Sequence, residues 1–378
     1  MKRIYIIISL CIILINCTIS TQRYISSKEY IFQDGIMLAL TLDGEKITQY
    51  PEGKKYQVEI NCENGKGKWL VEEWKLAVEE ITGNVVCNID FTSNPKSLIN
   101  EVESKYTENI NGYRYNGKNP DNYIWFNNEI WRIIGSIPTC LSASCGTDTT
   151  NLVKIIRDQT IGGIVFDAVA SGYYTGPWGE NSLYNLLNTH YYSSTEDGLN
   201  GQSHTGCYAN YSSYAAYNSK PNCNYKSIGI LSSGYYGNMV KNVYWNTGNV
   251  HPYGTPNGSY NQEKATQTIQ GYIGLMNVSD YGYAASSDYY DSALATFNSN
   301  VGYGLLEITE TNWLFDAGKL WTLNKNSQDA SGALSILGQL GSTLTNISYG
   351  VRPVVYLDPS VYIISGDGTQ SNPYQIAM

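Results

Sequence analysis

The chain has 378 residues, 42% hydrophobic and only 15% charged, with a net charge of -9. That is well below the roughly 25% charge of an ordinary soluble domain, and too apolar for a disordered acidic tail. With 24 Lys and Arg against 33 acids and no dense basic run, the composition also speaks against nucleic-acid binding. Tyrosine is the outlier: 34 Tyr stand beside 6 Phe, with 36 Gly. This balance suits a wet, β-rich surface protein.

The first twenty residues have the layout of an export signal. Met1-Lys2-Arg3 is a positive start, and Ile4 to Ile15 is apolar apart from Tyr5 and Ser9. Twelve residues fit a signal-peptide core and fall short of the roughly 20 that a membrane span needs. Leu14-Ile15-Asn16-Cys17 resembles a bacterial lipobox, in which Cys17 would carry the lipid anchor, although Asn16 replaces the usual small residue. Thr18-Ile19-Ser20 offers ordinary cleavage instead, and an uncleaved anchor is the third outcome. Each places the protein outside the cytoplasm, attached to the cell surface or secreted, with this segment as its membrane contact.

Six cysteines remain beyond the signal: Cys62, Cys87, Cys140, Cys145, Cys207 and Cys223. An even number in an exported chain indicates disulfides. Pairing of sequence neighbours keeps each bridge within one local unit: Cys62–Cys87, Cys140–Cys145 and Cys207–Cys223. The spacing of close Cys clusters that zinc requires is missing.

Residues 29–92 form a small antiparallel β-module. Ile36, Leu38, Leu40 and Leu42 alternate; so do Tyr56, Val58, Ile60 and Cys62, then Trp74, Leu76 and Val78, then Val85, Cys87, Ile89 and Phe91. Period two across four segments is the strand signal, with Asn64-Gly65 and Gly83-Asn84 as turns. Residues 93–112 form a helical linker: Asn94-Pro95 supplies an N-cap and N1 proline, and Leu98, Val102 and Tyr106 recur every fourth residue.

The larger domain, 113–378, is again β-rich. Tyr123-Ile-Trp-Phe126 and Glu129-Ile-Trp-Arg-Ile-Ile134 flank Asn127-Asn128, a hairpin signal because Asn tolerates positive φ. Leu152 to Arg157 is a strand and Asn181 to Tyr192 a helix. Residues 204–262 lack periodicity and read as long decorated loops. Regular structure returns at Tyr272–Met276, continues through Trp313–Phe315 and Leu320–Leu323, and ends with Val351–Leu357 and Val361–Ile364. The fold class is therefore α+β, mostly antiparallel β.

Asn122-Tyr-Ile-Trp-Phe-Asn-Asn-Glu-Ile-Trp-Arg-Ile-Ile-Gly135, Ile273-Gly-Leu-Met276 with Asp280-Tyr-Gly-Tyr-Ala284, and Tyr349-Gly-Val-Arg-Pro-Val-Val355 resemble blocks of an exported surface-protein family of low-GC Gram-positive bacteria. The module before them, with Thr82-Gly-Asn-Val-Val-Cys87, looks like the β-module often placed ahead of that domain. The family carries no assigned activity. The tryptophan-rich domain closing on Gly-Val-Arg-Pro-Val is also distantly similar to C-type-lectin-like and formylglycine-generating-enzyme-like domains, which implies a loop-rich fold with two helices. The late cysteine pair that the latter enzymes use for copper has no counterpart after Cys223.

No catalytic residue, metal ligand or cofactor emerges. Gly-x-Ser-x-Gly is missing; His190, His204 and His251 sit in separate contexts. The acid pairs Glu307/Glu310 and Asp288/Asp291 read as surface carboxylates, and Asp367-Gly368 as a turn. One constellation stands out: Tyr208, Tyr211, Tyr214, Tyr217, Tyr235 and Tyr236, amid Ser, Asn and Gly. Tyr offers rigid amphipathic area and its small polar neighbours adaptable hydrogen bonds, a paratope-like mixture. The competing explanation is codon bias, since Lys outnumbers Arg 18 to 6. The expectation is a non-enzymatic binding or adhesion protein that recognises a glycan or a host or bacterial surface protein. The alternatives are a secreted polysaccharide hydrolase and a structural surface component.

Overall fold

In a computed structural model, the described residues are 30–53, 55–105, 111–143, 145–167, 178–179, 181–197, 207, 223–251, 254–289, 294, 311–315, 320–328, 332–336, 340–344 and 347–378. The signal segment with Cys17 lies outside them. Strands predominate over helices and most pairings are antiparallel, which makes this a β-rich α+β chain. It divides into two compact units, residues 1–95 and 96–378.

The first unit holds a five-stranded sheet in the order Ile31–Gln33, Ile36–Leu42, Val86–Ser93, Tyr56–Glu63, with Glu45–Ile47 also against Ile36–Leu42. It is mixed, which corrects the antiparallel expectation. Met37 to Leu42 pair in parallel with Val86 to Phe91. Alternating apolar residues specify a buried face but not a direction, and the 43–85 stretch is long enough for the crossover that a parallel pair demands. Two hairpins turn on Asp34-Gly35 and Asp43-Gly44. All four residues have positive φ, the geometry of the tight turns that match strand twist. Val58, Trp69, Val85, Cys87, Ile89 and Phe91 are buried. The Trp69 ring meets Tyr50, Trp74 and Phe91 edge-on, with centroids 5.1–5.3 Å away. Trp74 is not a strand residue as expected: it has positive φ and closes the turn before Lys75–Glu79. Its indole donates to the Pro51 carbonyl at 2.9 Å.

The expected linker helix is Leu98–Ser104, here α1, with Ser97 at its N-cap. Asn94 has positive φ instead, so the Asn-Pro pair turns the chain before the helix. The helix belongs to the second unit. Leu98 and Val102 enter its core, and the Leu98 amide donates to the Val361 carbonyl.

The second unit is built on an eight-stranded sheet, in the order Val240–Lys241, Val354–Leu357, Thr150–Arg157, Glu129–Thr139, Tyr123–Phe126, Tyr374–Ala377, Tyr362–Ser365, with Tyr113–Arg114 added beside Glu129–Thr139. A five-stranded sheet contains Gly163–Val165, Ser348–Gly350, Leu320–Lys325, Gly332–Ile336 and Leu340–Leu344. Asn127 and Asn128 both take positive φ and close the expected hairpin. The expected helix starts at its N-cap Asn181 as Ser182–Asn185 (α2) and continues as a π-helical turn, Leu186–Tyr191.

The core of this unit is tryptophan-rich, and three of its indoles are held by backbone carbonyls. Trp245 donates to Gly271, Trp313 to Tyr115 and Trp321 to Ile164, at 2.7–2.9 Å. Gly274 lies so close to the Trp245 ring that a Cβ there would overlap it. The Arg352 side chain donates to the Arg157 carbonyl at 2.7 Å and thereby holds the Gly-Val-Arg-Pro segment against the sheet.

Residues 223–251 and 254–262 contain regular elements where the sequence suggested loops. It contains strand Val243–Trp245 and helix Pro256–Glu263 (α3), which Thr255 caps and Pro256 begins. A second helix that the sequence reading missed, Val278–Ala284 (α4), follows.

Candidate functional site

Two places in the second unit gather polar or aromatic chemistry. The first is the base of the Cys207–Cys223 bridge. All three expected disulfides are present, Cys62–Cys87, Cys140–Cys145 and Cys207–Cys223, consistent with an oxidising compartment. Cys207 and Cys223 are both fully buried. Asp197 ties them to the fold: its carboxylate accepts from the Cys207 amide, and its own amide donates to the Cys223 carbonyl, both at 3.1 Å. Next to the bridge Tyr225 packs edge-on against Tyr191, centroids 5.3 Å apart. Burial pushes both phenols far above the usual tyrosine value. The foot of this segment is thus core, not loop.

Of the expected contact tyrosines, Tyr208, Tyr211, Tyr214 and Tyr217 lie outside the described residues. Tyr235 is half-buried. Tyr236 is buried edge-on against Phe126, so it moves from the recognition list to the core. Tyr260 is likewise buried. An aromatic face not anticipated from sequence lies along α2 and the π-helical turn that continues it. Tyr184 donates to the Gln270 carbonyl at 2.6 Å and Asn188 accepts from the Tyr272 and Ile273 amides. Tyr192 then stacks on Tyr272 with ring centroids 4.0 Å apart and planes 10° off parallel. These side chains recur every fourth residue on one helical face. The Tyr192 and Tyr272 rings remain partly exposed.

The second place is a sealed polar centre. Lys154, at 1% exposure, stands in the otherwise apolar run Leu152-Val-Lys-Ile-Ile156. Its Nζ donates to Asp280 Oδ2 at 2.5 Å and to Asn277 Oδ1 at 2.8 Å. Arg114 donates to Asp280 Oδ1 at 2.5 Å, and the Asn277 amide to Oδ2 at 2.8 Å. Asn277 Nδ2 in turn donates to the Asn246 carbonyl and to Asn324 Oδ1. Trp245 and Tyr356 flank the ammonium, with centroids 5.6 and 5.3 Å away. Burial disfavours every charge here, but pairing outweighs it. Asp280 is held below the usual carboxylate range by Lys154 and Arg114, and both cations are held above theirs.

Glu263, at the end of α3, has the opposite fate. Burial, then the Asp280 charge, raise it to about 7, against donations from the Ser279 amide and hydroxyl at 2.7 and 2.5 Å. One carboxyl held low beside one held high is the arrangement that acid–base hydrolases use. In this centre, however, every carboxylate oxygen already accepts from a protein donor, and both residues are buried.

The hydrolase candidates of the sequence fall elsewhere. Asp288 is exposed; Asp291, Glu307 and Glu310 are outside the described residues. His190 lies within 3.1 Å of the Thr195 hydroxyl, and no metal-binding cluster occurs among the described residues. The polar centre itself was detectable in principle. A lysine inside a five-residue apolar run needs a buried counter-charge, and Asn277 three residues before Asp280 has the spacing of a helix start.

No protein-family model matches the chain, and no curated protein or solved structure matches it.

Proposed function

We propose that the chain is an exported cell-surface recognition protein without catalytic activity, in which the second, lectin-like unit presents a tyrosine-rich segment to a glycan or a surface protein. The observation that carries this reading is the buried Cys207–Cys223 foot. The bridge and Asp197 anchor a covalently closed stretch of fifteen residues holding Tyr208, Tyr211, Tyr214 and Tyr217. A fixed base lowers the entropy lost when the segment binds, and tyrosine supplies contact area with few rotamers to freeze. The stacked, half-exposed Tyr192–Tyr272 pair adds a flat aromatic face of the kind that sugar rings pack upon. The apolar leader and the three disulfides support export.

The test compares the processed full chain with a variant whose residues 208–222 are replaced by a Gly-Ser stretch, keeping both cysteines. Each is applied to arrays of bacterial and host glycans and surface proteins. Binding by the first and its loss in the second, with the thermal transition of both unchanged, is the expected result. Equal binding by both would move the site off this segment, and hydrolysis of an arrayed polysaccharide would replace recognition by catalysis.

A further inference from the structure

The contacts of Lys154 have a chemical consequence beyond recognition. Its nitrogen lies 2.8 Å from the carbonyl oxygen of the Asn277 side chain, and the carbonyl carbon is one C=O bond of about 1.2 Å beyond that oxygen. The Asp280 carboxylate touches that nitrogen at 2.5 Å. All three residues are no more than 2% exposed. A nucleophile, an electrophilic carboxamide and a base therefore share one pocket walled by Trp245 and Tyr356. We propose that the folded chain joins Lys154 to Asn277 by an amide bond between Nζ and Cγ, with Asp280 as the general base.

The step balances without any added reagent. Asp280 Oδ2 takes a proton from the Lys154 ammonium, leaving a neutral amine. The amine lone pair attacks Asn277 Cγ, and the carbonyl electrons move onto Oδ1. As the carbonyl re-forms, the Cγ–Nδ2 bond breaks. Nδ2 leaves as ammonia with the proton that Asp280 held, then takes the second proton shed by Nζ. Lysine ammonium and asparagine carboxamide thus become a secondary amide and an ammonium ion, with charge conserved.

Several features favour this outcome. Asn277 cannot rotate away, because Nδ2 is held by the Asn246 carbonyl and by Asn324 Oδ1. Fixing both reactants at contact distance turns a bimolecular reaction into an intramolecular one, which is worth effective molarities of about 10⁵ M or more. Burial excludes the water that would compete for Cγ. The resting charges oppose the first proton transfer, since Arg114 and Lys154 together keep Asp280 ionised. The reaction need occur only once in the life of each chain, so a minor neutral-pair population is sufficient. The product ties strand Thr150–Arg157, inside the large sheet, to the start of α4.

Mass spectrometry of the processed full chain, after folding, incubation at neutral pH, complete reduction and denaturation, reads the bond directly. The expected result is a chain lighter than its sequence by one ammonia. A branched peptide joining the Lys154 and Asn277 segments should appear on digestion, and should be lost in Lys154→Arg. That peptide separates the crosslink from ammonia loss elsewhere. Wild-type protein without it overturns the proposal. A branched peptide joining Lys154 to Asp280, with loss of water, would overturn the assignment to Asn277. Because the wild-type measurement decides, the folding of Lys154→Arg does not affect the conclusion, and the result is independent of whether any ligand binds.

Discussion

In the first unit a disulfide and a group of aromatic rings do what a sheet of full size does in the second. Cys62 and Cys87 face one another across the Tyr56–Glu63 and Val86–Ser93 strands, beside a core whose largest members are Trp69 and Phe91. The second unit has four fully buried tryptophans, Trp131, Trp178, Trp245 and Trp321, yet also encloses Arg114, Lys154, Asp280 and Glu263. A unit with little apolar area needs a covalent staple and has no stability to spare for buried charge. A unit with a large core can bury charges, provided they are paired. Size decides whether charge can be buried, whereas disulfides occur in both units.

The largest effect should come from unpairing the charges. Asp280→Ala leaves Arg114 and Lys154 buried without a counter-ion, and urea denaturation should show the second unit losing about 3–5 kcal/mol. The triple replacement Arg114→Met, Lys154→Met, Asp280→Leu should recover most of that loss, since well-packed apolar groups often match a buried ion network. Failure of the triple variant to recover would mean that the network, not the core around it, holds the unit together.

Removing the staple tests the first unit. Replacing Cys62 and Cys87 by Ala opens a loop with a sequence separation of 25, for which the chain-entropy model gives about 3–4 kcal/mol. The same pair of substitutions at Cys140 and Cys145, separated by 5, opens a much shorter loop and should cost less. Calorimetry that finds the two losses equal would remove loop length as the reason.

Much of this contrast was visible in the amino-acid order. Period-two alternation located Ile36–Leu42, Tyr56–Glu63 and Val86–Ser93, and neighbour pairing located the disulfides, because both signals are local. The parallel partnership of Met37–Leu42 with Val86–Phe91 was not, since direction is set by the path of the chain between strands. The Asp34-Gly35 and Asp43-Gly44 turns carry a readable hairpin signal, and with it the strands Ile31–Gln33 and Glu45–Ile47. Tyr225, Tyr236 and Tyr260 looked like surface decoration because the 204–262 stretch has no period. They are buried by contacts with Tyr191, Phe126 and Arg114 from distant parts of the chain. The partners of Lys154 were equally non-local: the lysine announced a buried charge without saying which acid would meet it.

The two buried carboxylates predict opposite responses to pH. Asp280 is held low, so its contribution is present above the ordinary carboxylate value of 3.8 and is lost as pH falls below it. Glu263 is held high, at about 7 against an ordinary 4.5. Its folded state binds the proton more tightly, so its contribution is complete below pH 4.5 and is lost as pH rises from 4.5 through 7. The groups around it, Asp280, Arg114 and Tyr260, keep their charge states across that window, and so does Lys154 whether as ammonium or as amide. Unfolding free energies should fall by up to about 3 kcal/mol over it. In Glu263→Gln that slope should flatten, and a slope equal to wild type would assign it to another group.

The smallest effect compares the turns of the two units. The first unit places glycine second in both tight turns, whereas the second uses Asn127-Asn128, each with positive φ. Glycine reaches this conformation without the Cβ penalty, which asparagine only partly escapes. Asn128 is exposed, so Asn128→Gly should stabilise the second unit by about 0.5 kcal/mol. Asn127 has the same backbone conformation and should respond in the opposite direction. Its side chain is buried and donates to the Ile228 and Gly229 carbonyls at 3.1 and 3.0 Å. Asn127→Gly would gain the same backbone relief but strip those carbonyls of a donor, at about 1–3 kcal/mol. Thermal melts of the two single variants should therefore move apart, Asn128→Gly upward and Asn127→Gly downward. Parallel shifts would show that the turn conformation alone governs both positions and that the bond to the 228–229 segment adds nothing.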